Sequence, residues 1–254
     1  MPRLCVGLNK VALLRSSRGS PGPDPCAVAS ELSAAGCRAV LVHAWPDQRH
    51  ITLADVLELA GMREVRSREL ELRVGGDLRD DVLGLVRTAG RVSAFVVTPF
   101  DARERTTQRG WGRGDDQAHL RAAVRRLRPG TAVSVFCDPD PEGIELAAAA
   151  GATSVELNCR GFVESFGGQG QAVEIARLRA AAERARALGL AVNAAHDLGV
   201  RQLRTLTDEV PLDLVSVGHR FFADALVAGA VAVLPDYLQA SESSTACSST
   251  APVT

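Results

Sequence analysis

The sequence predicts an α/β fold, a single (β/α)8 TIM barrel, and three observations predict it. Short β-branched runs alternate with longer Ala/Leu/Arg segments of helical period. Eight such units follow one another within 254 residues, the usual length of one such barrel. The polar residues able to do chemistry cluster after the strands, where the loops of a barrel converge.

The strands are expected at 4–9 (LCVGLN), 39–43 (AVLVH), 70–74 (LELRV), 94–98 (AFVVT), 132–137 (AVSVFC), 154–159 (SVELNC), 191–195 (AVNAA) and 214–218 (LVSVG). Helical patterns lie at 25–36, 52–60, 79–89, 116–127, 141–150, 171–188, 199–208 and 220–233. Strands this apolar are buried on both faces, as in a parallel sheet covered by helices, and eight units favour closure over an open sheet. Gly36, Gly151 and Gly189 each follow a helical segment, where a left-handed cap is needed. Asp138-Pro-Asp-Pro-Glu142 supplies a cap and a proline at a helix start. Residues 1–239 are expected to form one catalytic domain. The Ser/Thr/Ala-rich stretch 240–254 (ASESSTACSSTAPVT) is expected to be a disordered tail.

Composition excludes several classes. A net charge of −1 gives no footing for nucleic acid or an acidic membrane surface. No run approaches the roughly 20 apolar residues of a membrane span, and the start MPRLCVGLNK lacks a secretory apolar stretch. The six cysteines show no metal-binding spacing, and four fall in apolar patterns, so a reduced, cytoplasmic protein is expected. Lys10 is the single lysine among 29 basic residues.

At the strand ends the sequence is expected to place Asn9, His43, Glu71, Pro99, Asp138, Glu156, His196 and His219, with His50 in the loop after the second strand. Three of five histidines on one rim, with carboxylates beside them, is the pattern of general acid–base catalysis near neutral pH. His119 falls in a helical pattern and reads as a surface residue. A zinc site built from His43, His196 and His219 is the alternative, without a supporting zinc motif. Gly218-His219 lies where barrels commonly bind phosphate, with Arg220 adjacent.

These residues also carry a resemblance. LVHAWPDQRHITLADV (41–56) resembles the VH…D.RHI…DV block of the pyridoxine 5'-phosphate synthase family. LRSSRG (14–19), PDP (23–25), LELRV around Glu71, Thr106-Thr107, VSVFCDPD (133–140), VELN (155–158), LAVNAAH (190–196) and VGH (217–219) follow in order. The resemblance implies condensation of 3-amino-2-oxopropyl phosphate with 1-deoxy-D-xylulose 5-phosphate, without metal or other cofactor. It implies His43 and Glu71 as general bases, His196 as general acid and Glu156 as a carboxylate that stabilises charged intermediates. Asn9, Arg18, Gly218 and His219 are implied contacts to the amino-ketone phosphate. His50 and Thr106 or Thr107 are implied contacts to the pentulose phosphate. It also implies small-molecule substrates and a homo-oligomer, an octamer.

The chain departs from the family pattern where substrates are held. The N-x-D-H-I-A-x-L-R stretch after the first strand is two residues shorter here and lacks the Asp-His pair, leaving Lys10 placed to bind an anion or form a Schiff base. Trp45 stands in place of a substrate-binding arginine, Phe100 in place of a glutamate, Asp197 in place of a glycine near phosphate, and Asn158 in place of a histidine. An indole donates one hydrogen bond and carries no charge, so Trp45 does not substitute for arginine. The loop 101–116, with Trp111 and Arg113, is expected to act as a lid. A ring-forming condensing enzyme with altered substrates, in a specialised natural-product pathway, is therefore expected. Authentic pyridoxine 5'-phosphate synthesis, a non-catalytic ligand-binding barrel and a metal-dependent lyase are the alternatives.

Overall fold

The computed structural model describes residues 1–104 and 106–242. Its strands are β1 (Arg3–Gly7), β2 (Ala39–His43), β3 (Glu71–Gly76), β4 (Val92–Val97), β5 (Ala132–Cys137), β6 (Ser154–Asn158), β7 (Ala191–Ala195) and β8 (Leu214–Val217). They are parallel and close into a barrel, β1 pairing with both β2 and β8. The helices are α1 (Asn9–Ser16), α2 (Pro25–Ala34), α3 (Leu53–Gly61), α4 (Arg63–Arg66), α5 (Asp80–Ala89), α6 (Gln117–Leu127), α7 (Pro141–Ala149), α8 (Arg160–Ser165), α9 (Gln171–Ala187), α10 (Val200–Glu209), α11 (His219–Ala228) and α12 (Ala230–Ser241). The predicted barrel is confirmed. Helices α1, α4 and α8 are additions, and Gly229, at φ 93°, divides the segment predicted at 220–233 into α11 and α12.

Local signals explain the helix starts. Asp24 caps α2 through two backbone N–H groups, with Pro25 at the first helical position. Thr52 and Asp55 cap α3 reciprocally, and Asp116 and Asp140 cap α6 and α7. Helix α12 runs through Ser241 with Ala240 buried, so the expected tail starts at least two residues later than its predicted boundary; residues 243–254 lie outside the described residues. Cys5, Cys37, Cys137 and Cys159 are buried free thiols, and Cys26 is a half-buried one.

Outward-facing strand residues and the inner helix faces form the main apolar core. Inside the barrel a smaller cluster of Cys5, Ala39, Leu41, Val96 and Leu214 surrounds a charged pair. Arg73 donates to Glu156 at 3.1 Å, with side-chain exposures of 6% and 2%. Glu71 is two residues earlier, and the register of β3 with β2 (Ala39↔Glu71, His43↔Gly75) sets it at the opposite end of the barrel from His43. There it pairs with Arg3, the first residue of β1. This corrects the expectation that Glu71 stands at the mouth as a base: a residue that begins a parallel strand lies at the bottom of a barrel. The strand-3 charge that faces into the barrel is a cation, Arg73.

The two charges of β3 therefore differ in their consequences. Glu71→Gln removes a half-exposed ion pair and is expected to shift stability in urea by no more than about 1 kcal/mol. Arg73→Met strands a buried carboxylate and is expected to cost about 3–5 kcal/mol, with partial recovery in the Arg73→Met/Glu156→Gln double variant.

Candidate active site

The C-terminal ends of the strands surround a cavity of about 570 Å³. Its lining includes Asn9, Lys10, His43, Trp45, His50, Thr106, Thr107, Glu156, His196, Asp197, Gly218 and His219. Of the fourteen residues expected as catalytic groups or substrate contacts, Arg220 aside, twelve are thus brought to one cavity. Glu71 is at the other end of the barrel. Arg18 is exposed after α1, outside the lining. Arg220 is turned to Asp224 at 3.1 Å along α11 rather than to the cavity.

His43 ends β2 and is held from two sides. The Asn9 side-chain carbonyl accepts the His43 backbone N–H at 2.8 Å, and the Asn9 amide nitrogen lies 3.1 Å from His43 Nδ1. The ring lies over Gly75 of β3, where a Cβ would come within 2.4 Å of Cδ2 and Nε2. Burial, and secondarily the neighbouring His50, lowers its pKa to about 4. The imidazole is therefore neutral at pH 7.

His50 is fixed through its loop. Its Nδ1 accepts the Ile51 backbone N–H at 2.8 Å. Arg15 of α1 grips Asp55 with two bonds of 2.6 and 2.7 Å and also donates to the His50 carbonyl at 3.2 Å. Burial raises the Asp55 pKa, but the bonds from Arg15 and Thr52 outweigh it and hold the carboxyl below its ordinary value. Burial, reinforced by Lys10 and Arg49, lowers the His50 pKa to about 4.

The replacements at Trp45 and Phe100 meet in space. Trp45 is buried, stacks near-parallel on His43 (centroids 6.0 Å, 17° between planes) and touches Phe100 (5.2 Å). An aromatic wall therefore stands where the family resemblance leads one to expect an arginine and a glutamate.

On the far side, His196 and Asp197 follow β7 with φ of 94° and 51°, a left-handed turn uncommon for side-chain-bearing residues. An Asp197 carboxylate oxygen lies 3.7 Å from His196 Nε2. Burial lowers the His196 pKa, and Asp197 opposes it. Glu156 lies on the cavity floor, three residues into β6 rather than on the rim. Burial raises its pKa, while Arg73 and the Ser216 hydroxyl lower it.

The expected lid is anchored over its second half. The Trp111 N–H donates to the Phe136 carbonyl at 2.7 Å, and Gly110 lies so close to Cys137 and Asp138 that a Cβ would clash. Asn158 bridges to Asp138 at 2.8 Å and to the Gln108 carbonyl at 3.2 Å. Among the described residues no group of three His, Cys, Asp or Glu side chains converges to hold a metal ion, so His43, His196 and His219 share a cavity without forming a ligand set. No helix among them is long and apolar enough to cross a membrane.

Sequence reasoning missed Arg73, Gly75, Arg15 and Arg49. Arg73 had a signal: a lone charge in the middle of an apolar strand needs a buried partner. Gly75 had one too, as a glycine inside a strand marks close approach by another group.

A closed parallel barrel whose mouth carries histidines above a buried carboxylate has the architecture of a (β/α)8-barrel enzyme. Residues 4–243 match the family described as "Pyridoxal phosphate biosynthesis protein PdxJ". The chain belongs to this family of biosynthetic enzymes. It is 36% identical over 245 residues to the pyridoxine 5'-phosphate synthase of Chelativorans sp. (strain BNC1), covering 94% of this chain and 98% of that one. It is 36% identical over 241 residues to the enzyme of the same name from Brucella anthropi, with the same coverage. Among solved structures, the Amycolatopsis orientalis BexX/CysO complex shares the fold, with a TM-score of 0.63 at 17% identity over 100% of this chain and 95% of that chain.

Two outcomes follow from the site's packing. Because His43 and His50 have folded pKa values near 4, below the unfolded value near 6.5, the unfolded chain binds more protons in between. Stability contributed by these neutral rings is complete above pH 6.5 and is lost as pH falls toward 4, by at most about 1.4 kcal/mol per pH unit for each ring. Urea midpoints measured across that range check it, and His50→Gln should flatten the slope. Gly75→Ala should displace the His43 ring, cost about 1–3 kcal/mol and shift the His43 resonances in an NMR spectrum.

Proposed function

We propose that the chain catalyses a metal-free condensation and dehydrative ring closure between an amino-ketone and a carbonyl compound. Its substrates are altered from the phosphorylated pair implied by the family, as in a paralogue serving a specialised natural-product pathway. The observation that carries this reading is the Trp45–Phe100 contact stacked on His43. It supplies an uncharged wall where a pentulose phosphate would need charge-bearing partners. Asp197 supports the same reading from the other side, because a carboxylate in the cavity repels a phosphate dianion.

In this reaction His196 acts as general acid and Glu156 stabilises positive charge on an imine-derived intermediate, while His43 engages the reacting carbonyl. Imine formation, enolisation and dehydration each move a proton, so several such groups are required. Lys10, Arg49 and His50 form the anion-compatible side of the cavity, and Thr106, Thr107, Gly218 and His219 complete the substrate contacts. Arg18 and Glu71 have no part in it. The free thiols support a reducing, cytoplasmic setting. Exposed Leu13, Leu14, Leu226 and Val227 support a homo-oligomer.

The second reading is authentic pyridoxine 5'-phosphate synthesis, favoured by 36% identity to curated synthases over 94% of the chain. Incubation with 3-amino-2-oxopropyl phosphate and 1-deoxy-D-xylulose 5-phosphate separates the two. The altered-substrate reading expects little or no pyridoxine 5'-phosphate, and at least about a tenfold gain in the Trp45→Arg/Phe100→Glu variant, equivalent to about 1.4 kcal/mol. Robust turnover by the unaltered protein would establish the second reading instead.

A further inference from the structure

The bonds around His43 determine which of its nitrogens carries the proton. The His43 backbone N–H can only donate, so the Asn9 oxygen must be the atom that accepts it at 2.8 Å. That fixes the orientation of the Asn9 amide. Its NH2 group is then the end that lies 3.1 Å from His43 Nδ1, and an NH2 group can only donate. Nδ1 is therefore the acceptor, and in the neutral ring the proton resides on Nε2. Among the described residues Nε2 has no protein partner, and it is not one of the polar atoms sealed from solvent, so it opens on the cavity that His43 lines.

We propose that His43 serves as a neutral Nε2–H donor that polarises a substrate carbonyl, and that Asn9 is the positioning residue that imposes this tautomer. This rests on the condensing reaction proposed above but reverses the role implied by family resemblance, which is that of a general base. A base would have to present a lone pair at Nε2 and a proton at Nδ1, and the locked Asn9 amide offers Nδ1 a second donor instead of an acceptor. The low pKa of His43 agrees with it, since the ring is not an imidazolium at working pH. His50 repeats the arrangement: the Ile51 backbone N–H occupies its Nδ1, leaving Nε2 to carry the proton. The β2 side of the cavity thus offers two neutral N–H donors to substrate oxygens. Proton transfer then rests on His196, the general acid of the reaction above, which once deprotonated takes up the proton released on enolisation; neither of its ring nitrogens receives a hydrogen bond among the described contacts. A preorganised donor acts where negative charge develops on a carbonyl oxygen during enolisation, without taking up a proton.

The test is the long-range proton–nitrogen NMR spectrum of histidine-labelled protein at pH 7 without substrate, so it does not depend on which reaction the chain catalyses. The unaltered protein should show a protonated Nε2 and an unprotonated Nδ1 at His43. Asn9→Asp, whose carboxylate accepts from both the backbone and Nδ1, should reverse the tautomer and raise the His43 pKa. A protonated Nδ1 in the unaltered protein, or an unchanged tautomer in Asn9→Asp, overturns the proposal. If Asn9→Asp does not fold, Asn9→Ala is read in the same way: a tautomer mixture supports the role of Asn9, and an unchanged Nε2–H state overturns it. With an active substrate pair in hand, Asn9→Asp should lower kcat about 100-fold, the usual scale for loss of one preorganised donor, whereas a base would be activated by the same change.

Discussion

The buried pair between Arg73 and Glu156 is the interaction on which the cavity depends. It ties β3 to β6 across the barrel at 3.1 Å, next to the buried polar side chains of Asn193 and Ser216. A carboxylate this enclosed would take up a proton if left alone, because burial disfavours its charge. The guanidinium opposes that penalty without outweighing it, and burial holds the Glu156 pKa above its ordinary value. The neutral Cys5 thiol, pushed up by burial, and the Ser216 hydroxyl also border the pair. The charge of the floor is thus set inside the barrel, before any loop contributes.

Much of this was legible in the sequence, and the exceptions share a cause. The barrel, its eight strands and most of the cavity lining follow from hydrophobic period and from polar residues placed after strands. The strand-3 carboxylate was misplaced because a run such as LELRVGG is equally apolar in several registers. Two residues along a strand keep the same face but move a side chain about 7 Å along the barrel. Only the pairing of Ala39 with Glu71 and of His43 with Gly75 decides which charge is inside and at what height. A sequence pattern shows that β3 holds two charges of opposite sign. It does not show that one ends at the bottom with Arg3 and the other in the core with Glu156.

Arg18 and Arg220 fail for a different reason. Arg18 is implied by the family resemblance, and Arg220 by its place beside His219, which lines the cavity. A helix start changes that relation: the side chain at 220 faces Asp224 one turn on, and the chain at 18 has already left α1. Arg15 shows the converse. It was unremarkable in the sequence, yet it holds Asp55 and the His50 carbonyl together, so the α1 and α3 ends of the cavity are one unit. The stretch after β1 leads straight into α1, which begins at Asn9 and carries both the clamp on His43 and the brace on His50.

The cavity that results is divided by charge and by hydrogen-bonding sense. From the ends of β1 and β2 come Lys10, neutral imidazoles and Trp45, which Phe100 meets from the end of β4; from β6 and β7 come Glu156, His196 and Asp197. In the proposed reaction the amino-ketone has its nitrogen toward the carboxylates and its carbonyl oxygen toward the imidazole N–H groups. Positive charge that develops at an imine nitrogen then lies near Glu156, and negative charge that develops at an enolate oxygen lies near His43. Trp45, backed by Phe100, covers one face of the His43 ring and lowers the local polarity, which strengthens a hydrogen bond made there. On the proposed reaction the aromatic pair therefore has two effects from one substitution pattern: it takes the place of charges that would hold a phosphorylated sugar, and it strengthens the proposed neutral donor beside the reacting carbon.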